Sequence, residues 1–238
     1  MFQEVKKPIR LYEKVADQIE NAITRRELKV NERLPSEDEL SKAFDVSKRT
    51  LREAIRVVEQ KGLVELTLNG TYVKEPSTDK LAQNLALLLK RGQVEWRHIY
   101  QYRSNLDATI AGLAAENATD KDIAALESMV AEGNYLLEKE PFDWQRYVEA
   151  DIRIHLKLAR MTGNPIYEWI LGTFLENMNE YFDAYLDKEN NFSRKNWQNM
   201  NRLVQAIKDR QPQEAARQAV IHLELGSEYF GGIVEATP

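Results

Sequence analysis

The chain contains no cysteine, which excludes disulfides and thiolate-held metals and leaves His, Asp and Glu as the only strong ligands for an ion. Histidine is scarce as well. Only His98, His155 and His222 occur, so the position of each carries information. No stretch approaches the roughly 18 apolar residues that a membrane span needs. The basic residues of MFQEVKKPIRLYEKV at the N-terminus are followed by no apolar run of the kind a secretory leader carries. A cytoplasmic protein with no membrane partner is expected. Heptad runs, internal repeats and low-complexity segments are also missing.

What is present is 238 residues with 43% hydrophobic content, enough to build one large or two modest cores. The net charge of −5 argues at first against a nucleic-acid partner, but its distribution is uneven. Residues 1–76 hold 15 Lys and Arg against 14 Asp and Glu, and the remaining 162 residues hold 18 against 24. Within the neutral first part, SKRTLREAIR (residues 47–56) is a local basic patch, with Lys48, Arg49, Arg52 and Arg56 opposed only by Glu53.

The first part reads as three helices and a hairpin. Leu11, Val15, Ile19 and Ile23 recur every four residues and write one apolar stripe along a helix. Ser36 and Glu39 stand at capping-box spacing and open a short second helix ending near Phe44 and Asp45. Ser47 caps a third helix that runs to about Lys61, where Gly62 provides the stop. LVELTLNGTYVKE then places two β-prone runs around Asn69-Gly70, a strong hairpin signal. EPSTDK has the character of a linker. Beyond it the pattern is helical only, near 77–91, 95–116, 119–138, 143–161, 165–186, 193–209 and 212–231. Thr119 with Asp122, and Asn164 with Pro165, mark two of the helix starts. The expected fold is mostly α: a winged helix-turn-helix over residues 1–75, a linker over 76–80, and an antiparallel bundle of six or seven helices over 81–238.

A short helix, a tight turn and an amphipathic helix is the geometry that lays the last helix in the DNA major groove. Val46, Leu51, Ile55 and Val58 would hold that helix from inside, leaving Lys48, Arg49, Thr50 and Arg52 at the end that meets DNA. Arginine forks onto guanine, whereas Lys48 and the hydroxyls of Ser47 and Thr50 suit phosphate oxygens. Asn69, Gly70 and Thr71 at the hairpin tip would reach the minor groove or a phosphate. A charge run by itself more often only solvates a helix face; the ordered combination of helices, basic end and wing favours DNA.

The segment LPSEDELSKAFDVSKRTLREAIRVVEQKGLVELTLNGTYV resembles the winged helix of the GntR family, whose pattern is LPSE, ELA, VSRxTVREAL, a Gly-Leu pair and a wing ending in GT, an aromatic and Val. The resemblance assigns operator contacts to Ser47, Lys48, Arg49, Thr50, Arg52, Asn69 and Gly70. One position departs from the pattern: Asp38 stands where the family commonly has Arg, and a carboxylate cannot grip phosphate.

Asp151 and His155 lie four apart on a helix and so share a face, a plausible pair for a first-row divalent ion, although a lone pair of this kind is more often a satisfied buried histidine. From about residue 80 to 230, the stretches YRSNLDATIAGLAA, DIRIHLKLARMTGNPIY and NRLVQAIKDRQPQEAARQAVIHL resemble the FCD effector domain of the FadR subfamily. That resemblance implies a divalent metal, Zn²⁺ first with Ni²⁺ or Mn²⁺ as alternatives, held by Asp151, His155 and His222 and completed by a carboxylate effector. Met200 occupies the family's fourth ligand position, and some relatives sense acyl-CoA without a metal. Arg103 matches an arginine near the family's cavity; on spacing alone it would equally form a salt bridge with Asp107. Trp169, Phe174, Tyr181, Phe182 and Tyr185 either line a cavity or fill a core. His98 has no assigned role.

These readings define an expected function: a ligand-responsive regulator, expected to repress, binding operator double-stranded DNA as a homodimer and sensing a small carboxylate. Two rivals stand beside it, a metal-dependent enzyme built on Asp151, His155 and His222, and a DNA-binding adaptor whose helical part only dimerises.

Overall fold

The structure is a computed structural model and describes residues 10–75, 77, 79–184 and 191–235. By internal contacts the chain divides into two compact units, Met1–Ser77 and Thr78–Pro238.

In the first unit, α1 (Leu11–Thr24), α2 (Glu37–Ala43) and α3 (Lys48–Gln60) precede an antiparallel hairpin of β1 (Val64–Thr67) and β2 (Gly70–Val73). Reciprocal capping starts α2: Ser36 Oγ accepts from the Glu39 N–H at 3.3 Å, and Glu39 accepts from the Ser36 N–H at 2.8 Å. The turn into α3 uses Asp45 in the left-handed region (φ 51°), and Ser47 Oγ then accepts from the Thr50 N–H at 3.1 Å. Val15 and Ile19 of α1, Leu34, Leu40 and the inner face of α3 form one core, in which Leu51, Ala54 and Val58 have no exposure. The α1 stripe is shorter than its periodicity predicts. Leu11 sits in the first turn, is 54% exposed, and Ala16 fills the interior instead.

The wing differs from expectation by one residue. Pairing runs from Val64 with Val73 to Thr67 with Gly70, so the connecting residues are Leu68 and Asn69 rather than Asn69 and Gly70. The positive φ falls on Gly70 (136°), where a Cβ would lie 2.6 Å from Arg33 Nε. Segment 31–34 adds to the hairpin edge, with the Leu34 N–H donating to the Thr71 carbonyl at 2.8 Å and Val73 to Glu32 at 2.9 Å. The base of the wing is thereby tied to the loop that leads into α2.

The second unit holds α4 (Asp79–Lys90), α5 (Trp96–Asn117), α6 (Asp120–Glu138), α7 (Trp144–Met161), α8 (Pro165–Ala184), α9 (Asn191–Lys208) and α10 (Pro212–Glu235). Thr119 and Asp122 make the capping box of α6, and the Asn164 side chain accepts from the Ile166 N–H at 3.1 Å to start α8 behind Pro165. The core gathers Leu126, Leu136, Ile154, Leu203 and Ile207 around Trp197, all buried. Trp197 lies against the backbone of α6 and its Nε1 donates to the Val130 carbonyl at 3.3 Å. Gly133 permits that approach: a Cβ there would be 1.7 Å from the indole ring. Helix α10 packs on α5 and α9, and α7 packs on α5, α6 and α8, so α5, α7, α9 and α10 converge on one region of the bundle.

Candidate functional site

Two sets of polar residues stand out, one on each unit. At the N-terminal end of α3 the five side chains named from sequence are together but differently engaged. Ser47 and Thr50 hydroxyls lie 2.9 Å apart and close the cap. Lys48 Nζ is 2.5 Å from Asp38, and the Lys48 hydrogen bond holds the Asp38 carboxyl below its usual pKa. Arg52 Nε meets both oxygens of Glu37, at 3.1 and 2.9 Å. Arg49 projects furthest, with its side chain 90% exposed and Glu53 no closer than 3.8 Å. The acidic first turn of α2 therefore faces the recognition helix and occupies two of its cations. At the wing tip Asn69 is exposed and Leu68 fully so, whereas Gly70 is half-buried beneath Arg33. Sequence reasoning passed over Leu68 because the Asn-Gly signal displaced the turn by one residue. The pairing of Glu37 with Arg52 was also missed, since nothing in spacing reveals which face of α2 meets α3.

In the second unit a cavity of about 430 Å³, counting the space open at its mouth, collects polar groups from four helices. Arg103 comes from α5, Asp151 and His155 from α7, Asn196 from α9 and His222 from α10; Tyr100, Trp144, Tyr147 and Phe192 supply aromatic walls. Each of Asp151, His155 and His222 offers a ligand atom, and these atoms all lie within 4.8 Å of one another. His155 Nε2 is 3.5 Å from Asp151 Oδ2, and His222 Nε2 is 3.3 Å from Asp151 Oδ1. The other face of His155 turns to Asp107, 3.7 Å from Nδ1, and Asp107 accepts from Arg103 at 2.6 Å. Both readings of Arg103 thus hold at once: it lines the cavity and it is paired with Asp107, with only 2% exposure.

Burial, partly opposed by Asp151 and Asp107, pushes His155 down to about 4, so its imidazole is neutral near pH 7 and keeps a lone pair for a ligand. Burial opposes ionisation of Asp151, but the fields of His222, His155 and Arg103 together outweigh it and hold the carboxyl below its usual range. His222 Nδ1 is buried with no hydrogen-bond partner among the described residues, and Asp151 Oδ1 is buried with only the His222 Nε2 approach beside it. A carboxylate and two imidazoles with unsatisfied atoms fit a divalent cation, and the Asp107 carboxylate behind His155 is the outer support such ligands commonly have.

Met200 has no exposure and belongs to the apolar core. One turn earlier on α9, Asn196 lines the cavity instead, a residue whose signal in sequence was its i, i+4 relation to Met200. Trp169 is 47% exposed, and Phe174 stacks on Tyr102 with ring centroids 5.2 Å apart; neither lines the cavity. The side chains of Tyr181 and Phe182, and all of Tyr185, lie outside the described residues. His98 accepts from the Glu95 N–H at 3.1 Å and helps start α5.

A cationic helix end beside a wing, and a polar cavity in a separate helical bundle, define a class: DNA-binding regulators that respond to a ligand. Comparison with known proteins narrows it. Residues 11–73 match the bacterial regulatory proteins of the gntR family, and residues 98–225 match the FCD domain. The HTH-type transcriptional repressor NanR of Edwardsiella tarda (strain FL6-60) is 32% identical over 225 residues, covering 90% of this chain and 83% of that protein. The NanR repressor of Cronobacter sakazakii (strain ATCC BAA-894) matches to the same extent. Among solved structures, the GntR protein of Streptococcus agalactiae superposes with a TM-score of 0.69 over 92% of this chain and 99% of that one; at 22% identity this speaks for the fold alone. The chain belongs to the GntR family, in the FadR-type branch whose members join the winged helix to an FCD domain. Its relatives are transcription regulators, so the enzyme reading of Asp151, His155 and His222 falls away.

Proposed function

We propose that this regulator is a repressor that binds a two-fold symmetric operator as a homodimer and lets go when a small carboxylate enters the bundle cavity. Residues 1–75 would grip DNA and residues 81–238 would bind the effector and the second copy, with 76–80 between them. Two-fold operators call for two wings, and a reader of DNA works in the cytoplasm. Among the described helices none is long and apolar enough to cross a membrane.

The observation that carries the effector reading is the donor set of the cavity: Asp151, His155 and His222 bring ligand atoms within 4.8 Å of one another, beside the buried Arg103. Asp151, His155 and His222 would hold a divalent ion, Zn²⁺ first and Ni²⁺ or Mn²⁺ next, which supplies the positive charge that draws an acid group. Arg103, aligned by Asp107, would bind the carboxylate from the α5 side. Asp107 also fixes the His155 ring. A polar floor of this kind suits a small acid better than the apolar tail of an acyl-CoA, and it gives the domain more to do than dimerise.

Repression would follow from coupling: the effector favours an arrangement of the dimer in which the two recognition helices no longer match the operator spacing. Elemental analysis of the purified protein tests the metal step. A near-stoichiometric ion, lost in His155→Ala combined with His222→Ala, is the expected result. Its absence after incubation with Zn²⁺, Ni²⁺ and Mn²⁺ would retire the metal and move metal-free ligands forward.

A further inference from the structure

The chain holds fifteen asparagines, and Asn69 is the only one followed by glycine. In an Asn-Gly pair the next residue's backbone nitrogen can close a five-membered ring onto the side-chain amide carbon, and glycine has no side chain to hinder the closure. The structure puts this pair in the open. Asn69 is exposed in the two-residue connection of the wing. Thr67 Oγ1 engages only backbone there, accepting from the Asn69 N–H at 3.2 Å and donating to the Gly70 carbonyl at 2.9 Å. The Asn69 side-chain amide is left to solvent.

A cation stands beside the pair. The Arg33 guanidinium lies over Gly70, with Nε 2.6 Å and Nη2 3.2 Å from the place a Cβ would take. A positive charge at that place favours loss of the Gly70 N–H proton to solvent, and it stabilises the negative charge that builds on the amide oxygen as the ring closes. Water is the only co-reactant. The Gly70 nitrogen, its proton gone to water, bonds to Asn69 Cγ; the Cγ–NH₂ bond breaks, and ammonia leaves with a proton taken from water. A second water then opens the succinimide at either carbonyl, giving aspartate or isoaspartate, with no change of oxidation state.

We propose that Asn69 is a site of spontaneous deamidation, and that the carboxylate formed at the wing tip weakens the grip on DNA, so that the hold on an operator declines as the protein ages. This rests on the reading that residues 1–75 grip DNA. An asparagine amide both gives and accepts hydrogen bonds at a base edge or a phosphate, whereas a carboxylate presents a full negative charge to a surface of phosphates. Isoaspartate also adds a backbone atom to a two-residue connection and so changes the turn.

Peptide mapping by mass spectrometry reads the chemical step on the full-length protein incubated in warm, mildly alkaline buffer. The peptide spanning Asn69 should exchange NH₂ for OH before any other asparagine peptide, and its aspartate and isoaspartate forms should separate by chromatography. Arg33→Gln should slow the exchange several-fold; an unchanged rate would remove Arg33 from the step. Asn69→Asp, a change at an exposed tip, reads the consequence. Its affinity for a DNA fragment selected in vitro should fall about 5- to 10-fold at low salt, with the gap narrowing as salt rises. Aged wild type should lose affinity in proportion to its modified fraction, while Asn69→Gln keeps whatever affinity it starts with. An Asn69 peptide that does not exchange, or exchanges only after the others, would overturn the proposal. Asn69→Asp binding as wild type does, while Arg49→Ala weakens, would overturn it too and leave the DNA-gripping reading standing. If neither variant weakens binding, that reading fails and the ageing effect with it.

Discussion

The two units handle charge in opposite ways. In the winged unit the ionised groups lie at the surface, in pairs such as Lys48 with Asp38 and Arg52 with Glu37, with water around every partner. In the bundle, Arg103, Asp107 and His155 are at most 4% exposed and sit in a fixed chain of contacts. Exposed pairs are weak and exchange readily, which suits a surface that must trade carboxylates for phosphates. Buried ones are costly to leave unmatched, which suits a site that waits for an ion and an acid.

That contrast can be broken in each half. The largest expected effect is structural: Gly133→Ala forces a Cβ into the Trp197 ring and should cost the bundle about 3 kcal/mol, read by urea unfolding, while the separate core of the winged unit remains. Next, Arg49→Ala removes the most exposed recognition-helix cation and should weaken DNA binding about 10- to 100-fold in a mobility shift, with the bundle's ligand affinity unchanged. Arg52→Ala should also weaken retention, with an added loss from the broken Glu37 tie. Unchanged affinity in both variants would refute the recognition helix.

Asp38→Asn should act the other way. Freed from its carboxylate, Lys48 becomes available to phosphate, so DNA affinity should rise several-fold at low salt and the salt dependence should steepen by about one phosphate contact. The smallest effect is on acid stability. Asp122, capping α6 and paired with Lys157, has its pKa lowered to about 2, chiefly by the Lys157 hydrogen bond and then by Thr119. Its folded pKa is below the unfolded value, so its contribution is complete above pH 4 and lost as pH falls towards 2. It is worth on the order of 1–2 kcal/mol. The stability gap between wild type and Asp122→Asn should close over that window.

The same contrast explains what could be read from the chain. The winged unit is legible because its signals are local: Ser36 and Glu39 cap over three residues, Ser47 caps the next helix, and the apolar face of α3 repeats within one element. Of its two misreadings, Leu11 stands exposed in the first turn of α1, and at the hairpin tip Arg33 over Gly70 overrides the local pattern. Helix positions in the bundle were legible for the same reason. The cavity was not, beyond the Asp151 and His155 pair and what family resemblance added. Asn196, Tyr147 and the second contact of Asp107 matter through approaches between helices far apart in sequence, which no spacing rule encodes.

Coupling between the bundle cavity and the wings is the central claim, and one titration addresses it. A DNA fragment selected in vitro for tight binding would be titrated with the protein, by fluorescence anisotropy, with and without the acid that most stabilises the bundle. Wild type should lose at least about 10-fold in DNA affinity when the acid is present, and Arg103→Gln should keep its affinity. An acid that binds wild type and leaves its DNA affinity unchanged would contradict the claim.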